Sequence, residues 1–245
     1  MDGPAAIQSP SEERRLIAPV WHTAVFVGAM LAYSVLQLKG HTLHTALHGR
    51  HRLFLYSISI LFEAFAVAFV WLWGLRATRT RLRDLIGGRW SRVSDVFRDI
   101  CVAVVFWINV WFCLMILGIA FGPNKSASNS LKAMAPQSFA EFIGWVALSF
   151  TAGFCEELVF RGYLQRQLFA ITGRSWIAVA LQAFVFGSIH LYQGWRGAIG
   201  ITVYGVLFGL LVIVRKSLRP GMIQHAGQDI LAGILLSVLG KHKYI

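Results

Sequence analysis

Apolar residues gather in seven runs, at about 20–38, 53–75, 99–121, 139–160, 176–192, 197–214 and 221–239, with short polar or basic stretches between them. A helix needs about 20 residues to cross a bilayer's hydrocarbon core. Five runs reach that length outright, and 176–192 and 197–214 sit at the margin. Lipid offers no hydrogen bonds to a backbone, so helices that satisfy their own are the solution for such runs. The pattern predicts an all-α, polytopic transmembrane helix bundle of about seven to eight spans. An eighth span would come from the 122–138 region or from the loop after the first run.

Composition narrows the class. Of 245 residues, 56% are hydrophobic and 14% charged, where soluble domains average about 25% charged. Mean hydropathy is +0.60. These values exclude a soluble enzyme, a disordered chain and a nucleic-acid binder. The net charge of +12 then reads as lipid headgroup contact and topology setting. Cys101, Cys113 and Cys155 all lie in apolar runs and form no CxxC, which argues against a disulfide framework or zinc knuckle.

The Lys/Arg bias orders the loops. Arg14, Arg15, the seven arginines from Arg76 to Arg98, Arg166, Arg174, Arg215, Lys216 and Arg219 fall on one side, and eight Lys or Arg on the other. The heavier side is expected to be cytoplasmic, with the N-terminus inside. Three parts follow: a polar tail over 1–18 without the pattern of a removable signal peptide, transmembrane helices over 19–138, and a helical core over 139–240. The basic loop 76–98 reads as an interfacial helix with its arginines toward anionic headgroups. His41, His44, His48 and His51 are spaced 3, 4 and 3 and read as one face of another interfacial helix.

Chemistry enters the apolar runs mainly beyond residue 139. Residues 154–164 read Phe-Cys-Glu-Glu-Leu-Val-Phe-Arg-Gly-Tyr-Leu. A central ionised residue costs about 2.5–3.5 kcal/mol on insertion scales, and each apolar residue returns only about 0.3–0.6. Such charges must be paired, near the boundary, or turned toward a wet cavity. Glu157 and Arg161, at i,i+4, can pair; Glu156, rotated by about 100°, cannot use the same partner. Phe186 and His190 share a face by the same spacing, as do His225 and Asp229. A lone histidine in an apolar helix is more often a hydrogen-bonded core residue. Two histidines, an Asp and a free Glu on separate apolar segments are costly enough together to suggest that they face one another. Gly173, midway between Glu156 and His190, is a candidate turn that would set those two side chains level. The difficulty is that 176–192 then fails to cross fully, leaving the Gly194–Gly197 turn at membrane depth, which requires cover by protein or a cavity.

Glu156-Glu157-x-x-x-Arg161, Phe186-x-x-x-His190 and His225-x-x-x-Asp229, in that order, resemble the three motifs of the CPBP family. These are the CAAX proteases and bacteriocin-processing enzymes, which include the type II CAAX prenyl endopeptidases. The resemblance implies an intramembrane endopeptidase that hydrolyses a peptide bond in a membrane-anchored, CAAX-type or other, substrate. By the same resemblance Glu156 activates water, His190 orients it, and His225 with Asp229 lines the oxyanion site. Glu157 and Arg161 support the helix and Phe186 shapes the pocket wall. A carboxylate held away from bulk water is a useful base, in agreement with that role. The prenyl endopeptidases usually carry Asn where this chain has Asp229, so Asp229 must be protonated, pair with His225, or bind a metal. Either no cofactor is required, or Glu156, His190 and His225 hold Zn²⁺ with an open water position.

The expected partners are a membrane-anchored peptide or protein and the lipid bilayer, not nucleic acid, with the site toward the cytoplasm, at the cell membrane if the source is prokaryotic. Two other classes use the same residues: a proton-coupled transporter with Glu156 and the histidines as a relay, and a catalytically silent scaffold or immunity protein. Gly194, Gly197, Gly200, Gly205 and Gly209 are expected to permit close helix packing rather than dimerisation.

Overall fold

In the computed structural model the described residues are 14–39, 52–122 and 124–241, and they are helical almost throughout. Each apolar run becomes a helix. α1 is Val20–Lys39. α2 is Arg52–Phe69, prolonged by a π-turn over Val70–Gly74 and a 3₁₀ turn over Leu75–Thr78. α3 is Leu82–Ile86, α4 Val93–Phe121 and α5 Lys125–Met134. α6, Phe139–Glu156, runs on as a π-helix over Glu157–Gln165 and then as α7, Arg166–Thr172. α8 is Ser175–Ser188, α9 Gly194–Arg215 and α10 Arg219–Lys241.

Among the described residues five segments are long and apolar enough to cross a membrane: Val20–Gln37, Arg52–Thr78, Val93–Phe121, Phe139–Thr172 and Leu191–Arg215. The protein is a polytopic integral membrane protein. The count differs from seven or eight for physical reasons. α8 has 14 residues, about 21 Å at 1.5 Å per residue against a hydrocarbon core of about 30 Å. α10 is long, but its first turns carry Gln224, His225, Gln228 and Asp229. The 122–138 region holds only the ten residues of α5. The other suggested location for a span, the loop that carries the four spaced histidines, lies outside the described residues.

The two ends of the bundle follow the charge pattern. At one end Gln167 accepts hydrogen bonds from the backbone of Ile17 and Ala18, Thr78 donates to Ile17 at 2.7 Å, and Leu218 N–H donates to Ile86 at 2.9 Å. At the other, Arg52 donates to Ala133 at 3.0 Å, Tyr56 donates to the Met134 carbonyl, and Ser237 donates to Pro136 at 2.7 Å. The Phe139–Thr172 rod, 34 residues or roughly 50 Å, is longer than the hydrocarbon core is thick.

The loop 76–98 is not one interfacial helix. Gly87 (φ 81°) and Gly88 (φ 56°) break it, both in the left-handed region that favours glycine. The short α3 is clamped onto protein: Arg166 donates to Asp84 and Leu85 at 2.8 and 2.9 Å, and Arg219 donates to Gly88. Leu85 is fully buried beneath these contacts. The arginines from Arg92 onward already belong to the start of α4, where Asp95 accepts from the backbone of Ser91 and Arg92 and caps the first turn. Asp99, buried on that turn, accepts from Trp90 at 2.8 Å and lies 3.4 Å from Arg215, tying α4 to the end of α9.

Small residues set the helix spacing within the chain. A Cβ on Gly205 would lie 3.1 Å from the backbone of Ala183, one on Gly197 would meet Gln193 and Asn124, and one on Gly209 would meet Gln165. These serve intrachain packing; Gly200 faces only Leu114, at 3.8 Å. Gly153 matters most for the site. A Cβ there would sit 2.8 Å from the Ala226 backbone nitrogen and 3.0 Å from the Met222 oxygen, so α6 and α10 touch through backbone one turn before Glu156. Gly153→Val should destabilise the protein by about 1–3 kcal/mol, read as a lowered thermal midpoint in detergent, whereas Gly118→Val, with open space around it, should leave the midpoint unchanged.

Candidate active site

Site residues come from three structural situations. Glu156 ends α6 and Glu157 opens the π-helix, so a change in helical winding falls between the adjacent carboxylates. π segments inside α-helices are rare and concentrate at functional sites. Glu157 turns into the bundle and is 0% exposed, while the Glu156 side chain keeps 18% and faces a cavity. Gly173 makes the expected turn in the left-handed conformation (φ 66°). α8 returns from it, and its end places His190 in the turn just past Ser188 rather than on the helix proper. His225 and Asp229 lie one turn apart on α10.

Glu157 and Arg161 pair at 3.0 Å, both fully buried. The guanidinium is sandwiched by aromatic faces, 4.2 Å from the Phe186 ring centre and 5.1 Å from that of Phe208, where a desolvated cation is attracted by the ring quadrupole. Phe186 thus braces Arg161 as well as walling the cavity. His225 is the hub. Its Nδ1 lies 3.3 Å from Glu157 Oε1, and its Nε2 lies 3.8 Å from Glu156 Oε2 and 3.7 Å from Asp229 Oδ2. With carboxylates at both nitrogens, the doubly protonated ring is the form this setting stabilises. Asp229 pairs with His225, one of its three expected options, and its backbone oxygen accepts from Trp145 Nε1 at 2.8 Å.

His190 is oriented independently. Its Nδ1 lies 2.8 Å from the Phe186 carbonyl oxygen, which can only accept, so Nδ1 carries the proton and Nε2 is left with a free lone pair. Glu156, His190, His225 and Asp229 all border one largely apolar cavity of about 710 Å³. Leu191–Gln193 forms a 3₁₀ turn on its wall, which gives the irregular backbone after the short α8 the cavity setting it requires.

The zinc alternative would use Glu156, His190 and His225. Among the described residues no three His, Cys, Asp or Glu side chains are grouped so as to hold a metal ion. His225 has its nitrogens directed at carboxylates instead.

Several cavity residues were not anticipated. Tyr33 on α1, Glu63 on α2, Tyr192, Gln193 and Tyr204 border the same space, and Tyr204 donates to Gln224 at 3.1 Å. Glu63 had a signal: it is the sole charged residue in the apolar run 53–75. The tyrosines had none, because aromatic residues at span ends read equally well as interface anchors.

Residues 138–231 match the family model "Type II CAAX prenyl endopeptidase Rce1-like". Over this segment the chain is similar to the CAAX proteases of the CPBP family. All three motifs lie inside the matched region, and α1 and α2, which complete the cavity, lie outside it. No curated protein and no solved structure matches the chain.

Removing one member of a buried ion pair strands the other charge. Arg161→Met should therefore cost about 3–5 kcal/mol, seen as a lowered thermal midpoint in detergent. Glu157→Gln combined with Arg161→Met should recover part of that loss, because neither charge is then left unpartnered.

Proposed function

We propose that this protein is an intramembrane endopeptidase that cleaves a membrane-anchored peptide or protein by means of water activated at Glu156. The observation that carries this reading is the meeting of Glu156, His225 and Asp229, with His190 on the same cavity wall, in a segment of a peptidase family. In this scheme the water held by Glu156 also donates to the bare Nε2 of His190. Glu156 takes the water's proton as the hydroxyl oxygen bonds to the scissile carbonyl carbon, and the carbonyl π-electrons move onto oxygen. In this scheme protonated His225 donates to that oxyanion, which is stabilised where fixed donors replace solvent. Collapse of the tetrahedral species breaks the C–N bond, and Glu156 returns its proton to the leaving nitrogen. The new acid then loses its proton to solvent. Glu157 and Arg161 hold the π-helix, and Glu157 keeps Nδ1 of His225 protonated. Asp229 offsets the imidazolium charge. No metal is needed in this scheme.

The apolar lining of the cavity fits a substrate segment that arrives from lipid. The Lys/Arg pattern assigns the N-terminal end of the bundle to the cytoplasm, while the cavity lining reaches Asn124, Leu131 and Met134 at the other end. CAAX-type prenylated chains are the substrate class suggested by the family description.

Glu156→Gln should lower cleavage by about 10²–10⁴-fold while leaving the fold intact. The readout is mass spectrometry of membrane peptides from cells producing the active protein or the variant. Peptides that accumulate equally with both would overturn the protease reading, and altered proton-coupled flux in vesicles would support a transporter instead. Activity should also survive exhaustive chelation; its loss, with restoration by Zn²⁺, would overturn the metal-free scheme.

A further inference from the structure

Glu63 is a carboxyl group that the proposed chemistry does not use. It lies on α2, outside the segment matched to the family. α2 and α6 run parallel, since Arg52 pairs with Glu141 at 3.7 Å and Tyr56 stacks edgewise on Trp145 at 5.7 Å. The same offset sets Glu63 level with Ala152, one helical turn from Glu156, and both residues line the cavity. Glu63 is close enough for its charge to act on Glu156, His225 and Asp229.

The charges near the site are otherwise matched by contact. Glu157 is shared between Arg161 and His225, and Glu156 and Asp229 both lie against His225. Glu63 has no ion pair among the described residues, and its Oε2 is buried without a hydrogen-bond partner. An intramembrane carboxyl of this kind is costly to keep and marks a functional site by default. Phe62, Ala66 and Met30 give the cavity wall apolar faces on this side, with Ser59 and Tyr33 also lining it.

Resting on the protease reading, we propose that Glu63 is a specificity residue that receives a cationic group, a Lys or Arg side chain or a free amine, carried by an apolar substrate segment beside the scissile bond. The cavity wall takes the apolar part, and the unmatched carboxyl takes the charge. An acidic group at the same place would be repelled by Glu63 as well as by Glu156 and Asp229. The preference is therefore for basic over neutral over acidic residues.

The test uses the full-length protein in lipid nanodiscs and needs no identified substrate. Dicyclohexylcarbodiimide, which reacts with protonated carboxyls in apolar surroundings, is applied, and adducts are mapped by peptide mass spectrometry. The expected result is an adduct at Glu63 that is suppressed by dodecylammonium but not by the same concentration of dodecanol. Glu156→Gln should keep both the adduct and its selective suppression, and Glu63→Gln should lose them with an unchanged thermal midpoint. No adduct at Glu63, equal suppression by both amphiphiles, or suppression by neither would overturn the proposal. Membrane peptides that accumulate equally in cells producing the active protein and the Glu156→Gln variant would overturn the protease reading instead, so the two failures are distinguishable.

Discussion

Glu157 is where helix geometry, burial and site chemistry meet. Its carboxylate is shared between Arg161 on its own helix and His225 on α10, with no exposure to solvent. A charge so placed tolerates the loss of neither partner, so the contact fixes the rotation of the α6 rod and the height of α10 together. Phe186 and Phe208 close on the guanidinium from α8 and α9. Four helical segments are thereby registered around one ion pair. Glu156, the next residue back along the rod, is left facing the cavity.

Backbone proximity lets that register be short-range. Gly153 allows α6 and α10 to touch at the turn below Glu156, and Gly187, Gly205 and Gly209 do the same between α8, α9 and the π-helix. In lipid there is little hydrophobic drive between helices, so close packing of small residues and buried polar contacts carry the association. Gln165 donating to Gly209 and Gln182 donating to Gly205 are of the second kind. These contacts surround the cavity with a firm frame on the C-terminal side. α1 and α2 supply the remaining wall with Tyr33, Phe62 and Glu63.

The electrostatic asymmetry between the two sides of the cavity follows from this arrangement. His225 has carboxylates on both edges of its ring, from Glu156, Glu157 and Asp229, and stands between residues of two helices. His190 has no such company and is tied to a backbone carbonyl. In the proposed hydrolysis the first imidazole stabilises negative charge and the second accepts a hydrogen bond.

Much of this was legible in the chain. The seven apolar runs specified seven helices because backbone groups in lipid must be satisfied locally, and the Lys/Arg bias sorted the loops into the two ends that the hydrogen bonds now define. The i,i+4 spacing of Glu157 and Arg161, and of His225 and Asp229, fixed those pairings, since neighbours on one helix need no tertiary knowledge. Tertiary structure decided the rest. Whether Asp229 would be protonated, paired or metal-bound depended on what stands opposite His225. The breaking of 76–98 depended on Arg166 and Arg219 reaching its carbonyls. That α8 is too short to cross, and that Glu63 belongs to the cavity, required the register between helices far apart in sequence. Periodicity tells which face of a helix is polar; only packing tells which other helix that face meets.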